Sequence, residues 1–272
     1  MHAHTCPAED IRRQARSGLL TGPTCGLAPG YLQANLVIVP EALAFDFLRF
    51  CQRNTKPCPI LDVTEPGAPE PRRVAPGADL RTDLPRYRVY RRGVLVDEPT
   101  EIVALWRDDL VTFLLGCSFS FESAMQRAGL PVRHLEQACN VPMYRTNVPC
   151  APAGVFAGPL VVSMRPLTPA QAIEAVIITA RYPHAHGAPI HFGDPAAIGI
   201  SNLARPDFGD AVPVHAGEVP VFWACGVTPQ AVLMEAKPDF AITHSPGCMF
   251  VTDCLAEAVE TTGSSGAERR AP

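Results

Sequence analysis

Apolar positions recur along the chain with two different periods, and the elements they predict alternate. In PEALAFDFLRFCQ (residues 40–52), Leu43, Phe47 and Phe50 fall three and four apart, the spacing of one helix face. This segment follows directly on NLVIVP (35–40), an apolar run of strand length, so the region reads as one β-to-α step. Residues 7–17 read as an earlier helix, with Pro7 near its start and Gly18 just past its end. RYRVYRRGVLVDE (86–98) has the character of strand, turn and strand, bending at Arg92-Gly93. Between residues 63 and 84 the period is lost among Pro, Gly and Asp, which predicts a long ordered loop or insertion.

The same order appears twice in the second half. PLVVSMRPLTPAQAIEAV (159–176) and VPVFWACGVTPQAVLMEA (219–236) each run from an apolar strand through Thr-Pro into an amphipathic helix. Thr168 and Thr228 are placed to cap orphan N–H groups, Pro169 and Pro229 to take the first helical position, and Gln171 to complete a capping box. Strands alternating with helices predict a mixed α/β fold, either one large domain or two intimate lobes around a cleft, with 64–85 as the lobe boundary. The domain is expected over residues 1–262, and 263–272 as a disordered tail.

Ligands of α/β folds favour the carboxyl ends of strands, and that rule selects residues. Arg165 and the pair Cys225 and Gly226 end the two strands just described. GCSFSFESAMQRAGLP (116–131) adds a third junction, where Ser118 or Ser120 serves either as a plain cap or as part of an anion site with Glu122 behind it. MYRTNVPCAPAG (143–154) reads as irregular, and there Arg145 and Asn147 are either a fork of donors for a carboxylate or surface groups. In ITHSPGCMFVTD (242–253), the residues 240–243 and 249–252 read as short strands around the turn Pro246-Gly247. Gly247 gives the turn its freedom, and His244 is either an acid/base held at a strand end or a ligand of the turn backbone.

Composition narrows the partners. With 272 residues, 47% hydrophobic and 18% charged, the chain can bury a large core. A formal charge of −4, with no run of Lys or Arg beyond two, offers no field for nucleic acid. No apolar stretch approaches the roughly 20 residues that span a bilayer, and MHAHTCPAED lacks the pattern of a signal peptide, so a soluble, cytoplasmic protein is expected. The ten cysteines contain no CxxC pair and are expected to be reduced. GDPAAIGI lacks both GxGxxG and a phosphate-loop lysine, so no nucleotide cofactor is expected. His184, His186, His191 and Asp194 are metal-ligand types but form no closed set of standard spacing, and no metal is assigned.

Taken together, GCSFSFE, NVPMYRTNVPC, GPLVVSMRP, HGAPIHFGDPAAIGI, PVFWACGVTPQ and ITHSPGCMFVTD resemble the D-glutamate cyclase family, whose bacterial members carry a hydro-lyase designation. The similarity extends over nearly the whole chain. It implies a small carboxylate substrate, with cyclisation of D-glutamate to 5-oxo-D-proline as the leading reaction. That chemistry needs a base, an acid, oxyanion donors and a carboxylate clamp. His244, His186 and Glu122 are the expected proton-transfer groups, and Arg145 and Arg165 the expected clamps. Cys248 departs from the family, for which PGHMFVTD is expected. A non-catalytic small-carboxylate binder is the alternative, and a homo-oligomer is left open.

Overall fold

The computed structural model describes residues 7–256, and the expected tail lies outside them. The elements run in the order α1 (Pro7–Arg16), β1 (Tyr31–Pro40), α2 (Glu41–Arg53), β2 (Ile60–Val63), β3 (Tyr87–Arg91), β4 (Val94–Asp97), β5 (Leu110–Gly116), α3 (Phe119–Arg127), α4 (Arg133–Glu136), β6 (Met143–Pro149), β7 (Pro159–Leu167), α5 (Pro169–Thr179), β8 (His191–Phe192), β9 (Val219–Ala224), α6 (Val227–Ala236), β10 (Ala241–His244) and β11 (Phe250–Leu255). The class is mixed α/β, with two sheets. One has the order β2-β5-β1-β10-β3-β4, with β11 also on β1; the other has the order β6-β7-β9-β8. No helix among the described residues is long and apolar enough to cross a membrane.

Every strand pairing among the described residues is antiparallel. The rule that places ligands at the carboxyl ends of parallel strands therefore has no purchase here, and the site must be found from its contacts. The sheets share their cores. Leu36 of β1 and Leu114 of β5 pack in one buried cluster with Leu167 of β7 and Trp223 of β9. Phe47 of α2, fully buried, meets Phe113 edge-on at 4.8 Å and Phe156 at 5.1 Å in a second cluster. Residues 64–86 carry no strand or helix, yet Val74, Ala75, Leu80 and Leu84 are buried in the first cluster.

Local rules account for some helix starts and not others. At α5 the capping box forms as its residues dictate: Gln171 N donates to Thr168 Oγ1 at 3.4 Å, and Thr168 N to Gln171 Oε1 at 3.0 Å. At α6 the helix begins at Val227, ahead of Thr228, which caps nothing. Its hydroxyl is instead fully buried against β7, accepting from Val161 N at 3.0 Å and donating to Val161 O at 3.2 Å. Residues 143–149, expected to be irregular, form β6, because 143–145 pair with 161–163 of β7.

Candidate functional site

Arg165 is fully buried, 1% exposed, and is the bulkiest charged side chain so buried among the described residues. On β7 it lies two residues from Ser163, on the same face of the strand. Its Nη1 donates to Ser163 Oγ at 3.1 Å and its Nη2 to Ser118 Oγ at 3.1 Å. Both Nε, at 3.1 Å, and Nη2 donate to Glu122 Oε1. The guanidinium also lies 5.3 Å from the ring centres of both Phe121 and Trp223. A buried cation thus meets a carboxylate, two hydroxyls and two aromatic rings, the compensation such burial requires.

Glu122 comes from the first turn of α3, which starts as β5 ends. Ser118 stands at the cap position but makes no cap bond, because its hydroxyl accepts from Arg165. Burial pushes the Glu122 carboxyl up, but Arg165 and His134 outweigh it and hold it down at about 2. Glu122 is ionised at neutral pH. His134, from the single turn α4 and 1% exposed, brings Nε2 to 3.1 Å from Glu122 Oε1. That contact lacks hydrogen-bond geometry, and Nε2 is otherwise buried. On the other side Cys25 Sγ lies 3.7 Å from Glu122 Oε2 and donates to it.

The loop that carries Cys25 is tied down by polar bonds. Gln33 Nε2 donates to Thr24 O and Leu27 O, Thr24 Oγ1 donates to Gln33 Oε1, and Gln33 N donates to Ser120 Oγ. Ser120 therefore joins the loop to α3, and only Ser118 of the two serines touches Arg165. Cys25 is half-buried and is the member of the cluster most open to solvent. Nearby, Gly226 permits a close approach: a Cβ there would lie 2.0 Å from Asn35 Nδ2, which donates to Gly116 O. Burial pushes the Cys117 thiol up to about 12 and the Cys225 thiol to about 11, so neither is a ready thiolate.

The remaining expected residues lie elsewhere. His244 ends β10, 1% exposed, with Nδ1 3.1 Å from Leu36 N and 3.3 Å from Leu36 O. With Leu36 N donating, the ring proton belongs on Nε2, and burial brings the pKa down to about 4. Gly247, at φ +81°, accepts from Thr24 N through its carbonyl. Cys248 is buried, its thiol pushed up to about 11 by burial. His186, at φ +78°, sets Nδ1 2.7 Å from Lys56 O, and burial lowers it to about 4. It lines a cavity of about 510 Å³ with Lys56, Cys58, Pro59 and His184. Arg145 is partly exposed, pairs with Glu235 at 3.2 Å and covers Phe208; Asn147 is exposed beside Gly199. Neither contacts the Arg165 cluster. Asp253 pairs with Arg12 at 2.8 Å, and His191 bonds its own loop at Asp194 O.

Sequence reasoning selected Arg165, Glu122 and Ser118, which the fold brings together, and passed over Cys25, His134 and Ser163. Ser163 was within reach, two residues from Arg165 on the same strand face. Cys25 and His134 offered no spacing that links them to α3.

Residues 111–253 match the family model described as D-glutamate cyclase. A Bordetella pertussis protein named "putative hydro-lyase" is 65% identical over 244 residues, 90% of this chain and 88% of its own. Proteins of the same name from Bacillus licheniformis (61% over 253 residues, 93% and 97%) and Rubrobacter xylanophilus (65% over 246 residues, 90% and 95%) are similar over nearly their whole lengths. Among solved structures, a nitrogen repressor-like protein from Methanococcus jannaschii aligns with 89% of this chain and 97% of its own, but a TM-score of 0.34 and 8% identity carry no argument. The sequence matches place the protein among carbon–oxygen lyases of the hydro-lyase kind. Within that class, the chain belongs to the D-glutamate cyclase family.

Proposed function

We propose that the protein removes water from a small amino or hydroxy acid at the Arg165 cluster, with ring closure of D-glutamate to 5-oxo-D-proline as the leading reaction. The observation that carries this reading is the buried pair itself. Arg165 and Glu122 set a guanidinium beside a carboxylate, the charge pattern complementary to the carboxylate and ammonium of an amino acid. In the reaction the amine gives up a proton and attacks the side-chain carboxyl carbon. A C–N bond forms, a C–O bond breaks, and the oxygen leaves as water. Arg165, Ser118 and Ser163 form the donor set for the carboxyl oxygens and for the oxyanion of the tetrahedral intermediate. Glu122 fixes Arg165 and faces the ammonium, and His134 and Cys25 flank it on the side where the amine proton must depart. In this reading His244 and His186 support the fold, and Arg145 and Asn147 lie outside the centre.

The test is proton NMR of D-glutamate, L-glutamate and 5-oxo-D-proline incubated with the full-length protein. Turnover of the D-isomer that disappears in Arg165→Lys, a variant that keeps the charge but loses the fork, is the expected result. Glutamate line broadening without conversion would favour the alternative, a small-carboxylate binder, which is consistent with a Glu122 so firmly ionised at rest. Neither conversion nor broadening would exclude glutamate and send the search to hydroxy acids.

A further inference from the structure

The Glu122 carboxylate, held by Arg165 through Oε1, has the makings of a metal site together with His134 on that same oxygen and Cys25 on Oε2. Cys25, Glu122 and His134 come from three separate parts of the chain, and one ligand atom from each falls within 4.8 Å of the others. Sγ is 3.7 Å from one carboxylate oxygen, and Nε2 is 3.1 Å from the other. A tetrahedral ion with M–S of about 2.3 Å and M–N and M–O of about 2.0 Å sets its donors roughly 3.3–3.5 Å apart, so small movements would close the set. His134 supplies a second, independent sign. Its Nε2 is buried and faces this cluster, 3.1 Å from Glu122 Oε1 in a contact that lacks hydrogen-bond geometry, so the ring nitrogen is free to ligate a cation.

We propose that Cys25, Glu122 and His134 bind a divalent transition cation of the zinc type. One thiolate, one imidazole and one carboxylate form a borderline-soft set that suits Zn²⁺ or Co²⁺ and not Mg²⁺ or Ca²⁺. Three protein ligands are the number found in open, catalytic zinc sites, whose fourth position takes water. Cys25, half-buried, gives the ion a way in. The bonds from Arg165 to Oε1 would orient the ligating carboxylate, the usual task of outer-shell partners. The site stands on this geometry alone. Its catalytic consequence rests on the reaction proposed above, in which hydroxide on the ion would take the proton of the ammonium and become water.

The experiment is titration of the metal-stripped full-length protein with Co²⁺, followed by absorption. His2, His4 and Cys6 are further ligand types in the same chain, so the titration is repeated with H2A/H4A/C6S. The expected result is a thiolate-to-cobalt charge-transfer band that saturates at one ion per chain in both proteins and is displaced by Zn²⁺. Cys25→Ser should abolish the band, and His134→Gln should weaken Co²⁺ binding by about 10-fold or more. X-ray absorption of the cobalt-loaded wild type should show one sulfur among nitrogen and oxygen neighbours, a measurement that holds even if a variant fails to fold. No band in the stripped protein, a band unchanged in Cys25→Ser, or its loss in H2A/H4A/C6S would each overturn the proposal. Metal binding of this kind without turnover of glutamate would leave the site in place and remove only the reaction.

Discussion

Replacing Arg165 by Met tests whether the buried pair is held by charge compensation. Methionine keeps most of the volume between Phe121 and Trp223 but removes four hydrogen bonds, two to Glu122 and one each to Ser118 and Ser163. Glu122, 2% exposed, then keeps its charge without its main partner, for which about 3–5 kcal/mol of lost stability is expected. At about 2 °C per kcal/mol for a chain of this size, the melting temperature should fall by roughly 6–10 °C. Glu122→Leu alone should cost a similar amount, since it strands the guanidinium. The double variant removes both charges, so its cost should fall short of the sum by at least about 2 kcal/mol. Urea unfolding of the four proteins at pH 7 measures the cycle. Additive losses would mean that the two groups are solvated independently, and the account of the buried pair would be wrong.

Three other outcomes follow from the same contacts. His186 and His244 are each held neutral with pKa values of about 4, below the ordinary 6.5, so the folded state binds fewer protons than the unfolded one. Their contribution is therefore complete above pH 6.5 and is lost as pH falls towards 4, by about 3 kcal/mol for each; urea midpoints in which His186→Gln leaves the slope across that window unchanged would refute it. His244→Gln should keep turnover of the true substrate within about 10-fold, and a loss of about 100-fold at unchanged melting temperature would return His244 to the chemistry. Gly116→Ala should prevent folding, because the new Cβ would lie 1.6 Å from the backbone oxygen of His184, whereas at Gly226 the nearest atoms belong to the Asn35 side chain, so Gly226→Ala should cost about 1–3 kcal/mol, partly recovered by Asn35→Ala. Equal expression and melting temperatures for the two glycine variants would contradict this.

How far the sequence could be read depended on whether the deciding contact was local. Thr168 and Gln171 are three residues apart and answer to each other, so α5 was legible to the residue. Thr228 is also followed by proline, but Ala231 stands where a capping box needs Glu or Gln, the Thr228 hydroxyl is claimed by Val161, 67 residues away, and the helix start moves. The proline and asparagine of 143–149 suggest irregular chain, and pairing with β7 overrides them. Ser118, Glu122 and Arg165 stood out because each lies at a strand-to-helix step. Cys25 is 97 residues from Glu122, and only the fold makes them neighbours.

The contacts of His244 support the structural role proposed for it. Two strands share one edge of β1: β10 pairs with Val37 and Ile38, and β11 with Tyr31 to Ala34. Between them the chain leaves the sheet through the turn at Pro246-Gly247, so no backbone is left to pair with Leu36 on that edge. An unpaired buried N–H there would cost on the order of 1–3 kcal/mol. The imidazole fills the gap, with Nδ1 accepting from Leu36 N, and Gln230 Nε2 donates to the His244 carbonyl at 3.1 Å to hold the strand end. The residue required is one that accepts a hydrogen bond in the plane of a sheet and stays uncharged when buried, and a histidine with a pKa of about 4 meets both conditions. The same features, a lone histidine before a tight turn at a strand end, are those by which a general base would be recognised in sequence. Only the partner of Nδ1, 208 residues away, distinguishes them.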